Sequence, residues 1–426
     1  MYEDLGKAEP RLSLPHRASR AVLAMDALLT PQRLRVYPVV LLATWLLSYV
    51  LVAIMDPQWT PLPDFVARWT AGHILLEGDV SRLYDPGYQG ELQRTLGSDR
   101  LSWFVSPPFV AVLFAPLAAM PYPAACLTWF LLSLGGLTWA AWRLKPLAPR
   151  CLAERSAQVM LIMAASAPVL ELLGSGQDTV VVLVAVCAGM RLLHDDHDAV
   201  AGAVLGIGVI KPHLIFLVPV LLVLLRRWRT LAIFGSTASL AAVLSWLLVG
   251  TTGITTWLSI PFSNLYSTEV TAGQAWKSTS LTSALRGLLP ASVEWWRVAV
   301  LLLAVVMVVV GVVAMRHSVR AGWCSRAWAV LLLTTALGSP HFLLYDAVLC
   351  FPVLLALAGA LWDATTRVLL AAIFVLAWLA APLHAALIDA AWPTTVLGSP
   401  WIVVGLVILW LRLIRRAPAV TVGSVG

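Results

Sequence analysis

Long apolar runs, many close to the length of a bilayer crossing, alternate along this chain with polar or basic connections. A helix needs about 20 apolar residues to cross the hydrocarbon core. On that measure 36–55 is the first span. Others follow in a run ending at Trp142, over 158–173, in a run ending at Arg191, and over 231–249, 297–315, 326–338, 343–361, 366–385 and 396–414. Residues 199–225 are too long for one clean helix and are interrupted at Lys211-Pro212, which predicts two shorter helices meeting there. The short apolar run 107–120 is expected to be a re-entrant or tilted half-helix. The reading is an all-α polytopic membrane protein with about 12 transmembrane helices. Residues 1–35 read as a cytosolic basic tail, 36–416 as one transmembrane domain and 417–426 as a C-terminal tail.

Two connections are long, 56–104 and 250–296. The first contains PLPDFVARWTAGHILLEGDVSRLYDP, from Pro61 to Pro86. Pro61 and Pro63 stop a continuing helix, and Asp64 stands where a new one begins. Phe65, Trp69, Ile74 and Leu75 then mix with Arg68, His73 and Glu77 at helical spacing, which predicts a helix lying along the membrane surface. Asp64 has two readings: a cap paired with Arg68 one turn on, or a carboxylate facing a cavity at this interface. Tyr84-Asp85-Pro86 reads as a turn. The second connection carries Trp276-Lys277-Ser278-Thr279-Ser280 and a short helix.

Composition agrees with the pattern. The chain is 60% hydrophobic and 12% charged, against about a quarter charged in soluble proteins. Its net charge of +7 reports orientation, because the basic residues are scattered over loop ends, and no nucleic-acid partner is expected. Placing the basic loops inside puts 61–104, Gly174–Asp178, the Lys211-Pro212 break, 250–296 and Ser339-Pro340-His341 together outside. The five cysteines form no CxxC, so neither a disulfide framework nor a zinc site is expected. His194 to Asp198 has the look of a metal site, but it falls in a tight inner turn. No Walker A loop, GxGxxG after a strand, GxSxG or HExxH is present, which argues against nucleotide-driven transport and hydrolase chemistry.

Three outer clusters carry candidate chemistry. Gln177 and Asp178, beside Gly174 and Gly176, form a small polar patch suited to hydroxyls, although Asp178 also stands at a helix start. Lys211 interrupts an apolar run. A lysine at mid-membrane is costly, so it is paired or lines a cavity unless it snorkels from a shallow depth. With His213 beside it, the broken helix suits an anionic head group such as a lipid phosphate. His341, with Tyr345 and Asp346 after it, suits donation to a leaving phosphate or orientation of a hydroxyl.

The order of these motifs resembles the bacterial polyprenol-phosphate-mannose-dependent mannosyltransferases of the GT-C superfamily. That group includes the actinobacterial enzymes that extend phosphatidylinositol mannosides and lipomannan. The resemblance covers 36–361, through DF and LYDP after the first span, then SPP, GQD, the KP-broken run and SPH with YD. It implies a GT-C fold in the bacterial plasma membrane, with the active site on the outer face and Asp64 as catalytic base. It also suggests His341 as a functional histidine. The donor would be mannose on a polyprenyl phosphate and the acceptor a glycolipid or lipoglycan. Lys211, His213 and Lys277 would hold the donor phosphate. Arg68, Trp69, Tyr84, Gln177, Asp178, Trp276 and Tyr345 would contact sugar or acceptor, with Trp103 a further stacking surface. No metal or other cofactor is indicated, since the first loop carries the single Asp64 where the wider superfamily often has an acidic pair. Two alternatives stay open: a transferase of the same fold using arabinofuranose or glucose, and a lipid-linked sugar flippase.

Overall fold

The computed structural model describes residues 19–415, apart from 57–59, 99, 269–273, 289–294 and 388–399. Most of the N-terminal tail and all of 417–426 therefore lie outside the described residues. Regular structure among those described is helical, with one isolated antiparallel bridge between Ser278 and Leu343.

Among the described residues five helices are long and apolar enough to cross a membrane: Arg33–Met55, Tyr122–Leu147, Trp228–Phe262, Val298–Arg320 and Ala364–Leu387. Ser156–Ala164 and Ala167–Ser175 make a sixth if taken together; they meet at a 57° bend, with Pro168 opening the second. The other apolar runs of the interior are shorter helices, among them Phe109–Ala118, Thr179–His194 and Cys324–Gly338. Among the described residues length and composition thus pick out five or six crossings, and the about twelve of the hydropathy pattern are not reached on that measure. The reason lies in burial. Thr179–His194 and Cys324–Gly338 are buried around most of their circumference, as helices apolar on every face should be. They are walled by long helices whose outer faces stay exposed, as on Arg33–Met55.

Several breaks fall where the sequence put them. Lys211 has φ −131° and ψ 79°, between a 3₁₀ turn ending at Ile210 and a short helix beginning at Pro212. The helix expected along the membrane surface is Phe65–Leu76, packed on the short Phe109–Ala118 helix. One boundary moved. The helix from Trp228 does not give way to a loop at Gly250. It turns there, with φ +65°, and resumes to Ser259.

Gly72 is where the interfacial helix approaches its neighbour most closely. A Cβ there would lie 2.9 Å from the Phe114 carbonyl carbon and 2.9 Å from the Ala118 Cβ. Gly235, in contrast, faces open space. Gly72→Ala is expected to cost about 1–3 kcal/mol by overpacking, whereas Gly235→Ala should be neutral or slightly stabilising. Thermal melting of the two variants in detergent checks the difference.

Candidate active site

Two chain turns build the site. Leu62 is buried with φ +51°, a strained conformation for a leucine, and it leads through Pro63 into Asp64. Gly176 has φ +76°, and a Cβ there would meet the Phe65 Cβ at 2.7 Å and the Leu62 Cβ at 2.9 Å. Glycine is therefore required for the two turns to lie against each other. Backbone and aromatic bonds clamp them. The Asp64 amide donates to the Ser175 carbonyl at 2.9 Å. Tyr122 donates to the Pro61 carbonyl at 2.7 Å, and Trp129 to the Gly176 carbonyl at 2.9 Å.

Asp64 makes no side-chain cap, and its carboxylate does not pair with Arg68. Gln177 instead donates its amide to Asp64 Oδ2 at 2.7 Å. Arg68 reaches across to Asp178, with both contacts at 3.1 Å. Asp178 does not cap its helix either. It is fully buried, and it also meets Lys211 Nζ at 3.0 Å. Lys211 donates further to Gln177 Oε1 at 3.0 Å and Thr179 Oγ1 at 2.8 Å, and lies 3.5 Å from Asp346. Thr179 passes its own proton to Asp346 at 2.5 Å. The Tyr345 ring centroid is 5.0 Å from the ammonium. Asp346 holds the Leu343 amide at 3.1 Å with its other oxygen, which fixes the loop after His341.

The result is a buried set of two cations and two carboxylates, with a third carboxylate, Asp64, hydrogen-bonded at its margin. Lys211 accounts for the orientation of Gln177. The ammonium can only donate, so the Gln177 oxygen faces it and the amide NH₂ faces Asp64. This also changes the expectation for Lys211. Its charge is matched by Asp178 and Asp346 and is not left over for a phosphate.

The other expected residues divide. Lys277 lies at the rim, ion-paired with Glu171. Burial alone would lower its ammonium, but the carboxylates of Glu171 and Asp64 outweigh this and hold it above the ordinary lysine value. Trp276 stacks on His384 with ring centroids 4.6 Å apart, which covers one of its faces. His341 is not beside Asp64. Its ring lies 5.9 Å from that of His213, whose Nε2 is buried with no hydrogen-bond partner among the described residues. His213 lines an apolar cavity of about 340 Å³ with Phe216, Val305, Val308 and Pro340. Trp69 and Tyr84 do not face a sugar site. Trp69 is buried on Tyr122 and His73 and donates to the Met120 carbonyl at 3.2 Å. Tyr84 stacks on Phe104 and donates to the Ser106 carbonyl at 2.8 Å. Trp103 donates to the Tyr84 carbonyl at 3.3 Å, and Asp85 caps the helix Pro86–Thr95.

Sequence reasoning missed Thr179 and Glu171. Glu171 had a legible signal, since a carboxylate inside an apolar run needs a partner; Thr179 had none. In the inner turn, Asp195 is taken by Arg191, and Asp196 and Asp198 by Arg227, so these acids brace the loop. Among the described residues no three His, Cys, Asp or Glu side chains group as a metal site.

The family model for glycosyltransferase family 87 matches residues 104–340, more than half of the 426-residue chain. The chain belongs to this family. No curated protein and no solved structure matches it. As a family 87 member it is a membrane glycosyltransferase, and the flippase alternative is set aside. The family match contains Gln177, Asp178, Thr179, Lys211 and Lys277. Asp64, Arg68, Tyr345 and Asp346 lie outside it and join the site through the fold.

The buried charges make a direct prediction for this glycosyltransferase. Asp178→Asn leaves Arg68 and Lys211 short of a counter-charge and should destabilise the fold by roughly 3–5 kcal/mol. Exposed Asp85→Asn should cost under about 1 kcal/mol, since asparagine caps nearly as well. Melting curves of both variants in the same detergent decide it.

Proposed function

We propose that this protein transfers mannose from a polyprenyl-phosphate-mannose to a glycolipid or lipoglycan acceptor on the outer face of a bacterial plasma membrane, within a GT-C fold. The observation that carries the reading is the contrast among three carboxylates. Asp178 and Asp346 lie against cations, whereas Asp64 is half-buried and held by one neutral amide. Asp64 is thus the carboxylate with a free oxygen and an accessible edge, as a general base requires.

Asp64 accepts the proton of the acceptor hydroxyl. The hydroxyl oxygen attacks the anomeric carbon of the donor as the bond from that carbon to the phosphate oxygen breaks. The polyprenyl phosphate leaves with the bonding pair. A single displacement inverts the centre, so a β-linked donor yields an α-mannoside. Gln177 is a positioning residue: it fixes Asp64 Oδ2 and leaves the other oxygen for the proton. Lys211, Thr179 and Asp346 hold Gln177 in turn.

The donor phosphate belongs beside His213 and His341, where an unpartnered imidazole nitrogen meets an apolar cavity that suits a prenyl chain. Lys277, reaching over from the rim, adds a cation to that side once it exchanges Glu171 for the phosphate. Half-buried Trp276 remains as a surface for sugar, whereas Tyr345 is buried against Lys211.

Polyprenyl-phosphate donors carrying mannose, arabinofuranose or glucose, offered separately to the purified enzyme with a pool of glycolipid acceptors, test the donor. Transfer of mannose alone is expected; transfer of only another sugar would move the reading to the related transferase. The positioning role makes a separate prediction. Gln177→Leu should lower kcat roughly 10- to 100-fold, the cost of a misplaced base, with KM for the donor little changed. Gln177→Asn, which keeps an amide, should recover part of the rate. Equal loss in kcat and donor binding would point instead to a substrate contact.

A further inference from the structure

The helix Tyr122–Leu144 begins at the site, where Tyr122 and Trp129 clamp the two turns, and runs to the opposite end of the bundle. Its 23 residues rise about 34 Å, enough to cross a hydrocarbon core of about 30 Å. Along its far half lies a second cavity, of about 740 Å³. It extends from Leu131 and Leu134, past Trp139 and Trp142, to Lys145, and Met160 and Phe351 help close it. From Leu131 to Lys145 is about 21 Å of helix, somewhat more than one leaflet. The walls are apolar for most of this length, and the polar end lies at the membrane face away from Asp64.

That end is basic. Arg143 places its guanidinium 5.6 Å from the Trp139 ring centroid and 6.0 Å from that of Trp142, and its Nε is buried without a hydrogen-bond partner among the described residues. Residues 143–155 hold four cations, Arg143, Lys145, Arg150 and Arg155, and one acid, Glu154. None of the four makes an ion pair among the described residues. Four arginines of other polar turns, Arg191, Arg227, Arg367 and Arg412, do pair with an aspartate. Lys145 lines the cavity itself, and Arg143 stands beside its Trp139 and Trp142 wall; cations without an ion pair at the end of an apolar trough one leaflet deep are complementary to a lipid with an anionic head group.

We propose that this cavity binds an anionic phospholipid in the leaflet opposite the glycosyl-transfer site. Its acyl chains lie along Leu131 to Trp142, and its phosphate is held by Arg143 and Lys145. The two tryptophans supply the interfacial wall, as such residues do at membrane–water boundaries. This lipid is not the sugar donor, because its phosphate sits about a membrane thickness from Asp64. A net positive rim distinguishes an anionic head group from a zwitterionic one, whose ammonium would be repelled.

The test uses the whole protein in nanodiscs of phosphatidylcholine alone or of phosphatidylcholine mixed with phosphatidylglycerol, with native mass spectrometry of the lipids it retains. Wild type should retain phosphatidylglycerol preferentially and melt at a higher temperature in the mixed discs. Arg143→Gln with Lys145→Gln should lower the enrichment roughly tenfold, the loss expected for the charge-assisted contacts, while melting as wild type does in phosphatidylcholine. Leu134→Trp keeps the cations but fills the trough, and should also abolish retention; it separates a lipid site from a surface of loose charge. Retention unchanged in both variants, or equal melting of wild type in the two discs, overturns the proposal. So does inorganic phosphate reproducing the stabilisation, since the site would then take a free anion.

Discussion

The structure depends on how it neutralises Lys211 inside the membrane domain. An ammonium taken out of water costs several kcal/mol unless it is paired and hydrogen-bonded, and here four partners hold it, so that three separate segments meet. Gln177, Asp178 and Thr179 come from one turn, Asp346 from the loop after His341, and Lys211 from a broken helix. Arg68 adds the interfacial helix through its bidentate grip on Asp178. A single electrostatic requirement thus fixes the relative positions of the segments that carry the site. The geometry of Asp64 follows from it, because the amide that orients Asp64 is itself oriented by Lys211.

Much of this was visible in the chain. Proline and lysine inside apolar runs marked the break at Lys211-Pro212, and Pro61 and Pro63 marked the entry to the interfacial helix. Gln177-Asp178, Lys211 and Tyr345-Asp346 stood out because polar residues there interrupt apolar context, and the fold brings them within bonding distance. What spacing could not give was pairing. Asp64 and Arg68 stand one turn apart, so local geometry favours a bond between them. Asp178, 110 positions from Arg68, takes the arginine because a fully buried carboxylate has more to gain from it than a half-buried one. Trp69 and Tyr84 were misplaced for a related reason. An aromatic residue in a polar loop has the same letter whether its ring faces a sugar or a neighbouring helix. Helix length picks out fewer crossings than hydropathy did, because hydropathy does not separate a long lipid-facing helix from a short one buried among others.

The two ends of the helix Tyr122–Leu144 divide the molecule's labour. At one end the buried charges of Arg68, Lys211, Asp178 and Asp346 match one another, and the only unsatisfied imidazole nitrogen among the residues assigned to the site sits beside an apolar cavity. A buried cluster of matched charges favours a reaction in which charge develops in the transition state, since nearby dipoles and donors act there at low dielectric. At the other end Lys145 lines an apolar trough, with Arg143 beside its tryptophan wall. Membrane glycosyl transfer needs both: a site closed to water, and a scaffold that stays seated in a bilayer while a long-chain donor enters and leaves.

The most direct test of the account follows radiolabelled mannose from a polyprenyl phosphate donor into glycolipid, comparing wild type with Asp64→Asn in the same nanodiscs. Asparagine keeps the size of the side chain and removes its capacity to take a proton. The account predicts transfer by the wild type and a loss of roughly 10²–10⁴-fold in the variant, the range for a general base, with donor binding retained. Full transfer by a folded Asp64→Asn protein would contradict it.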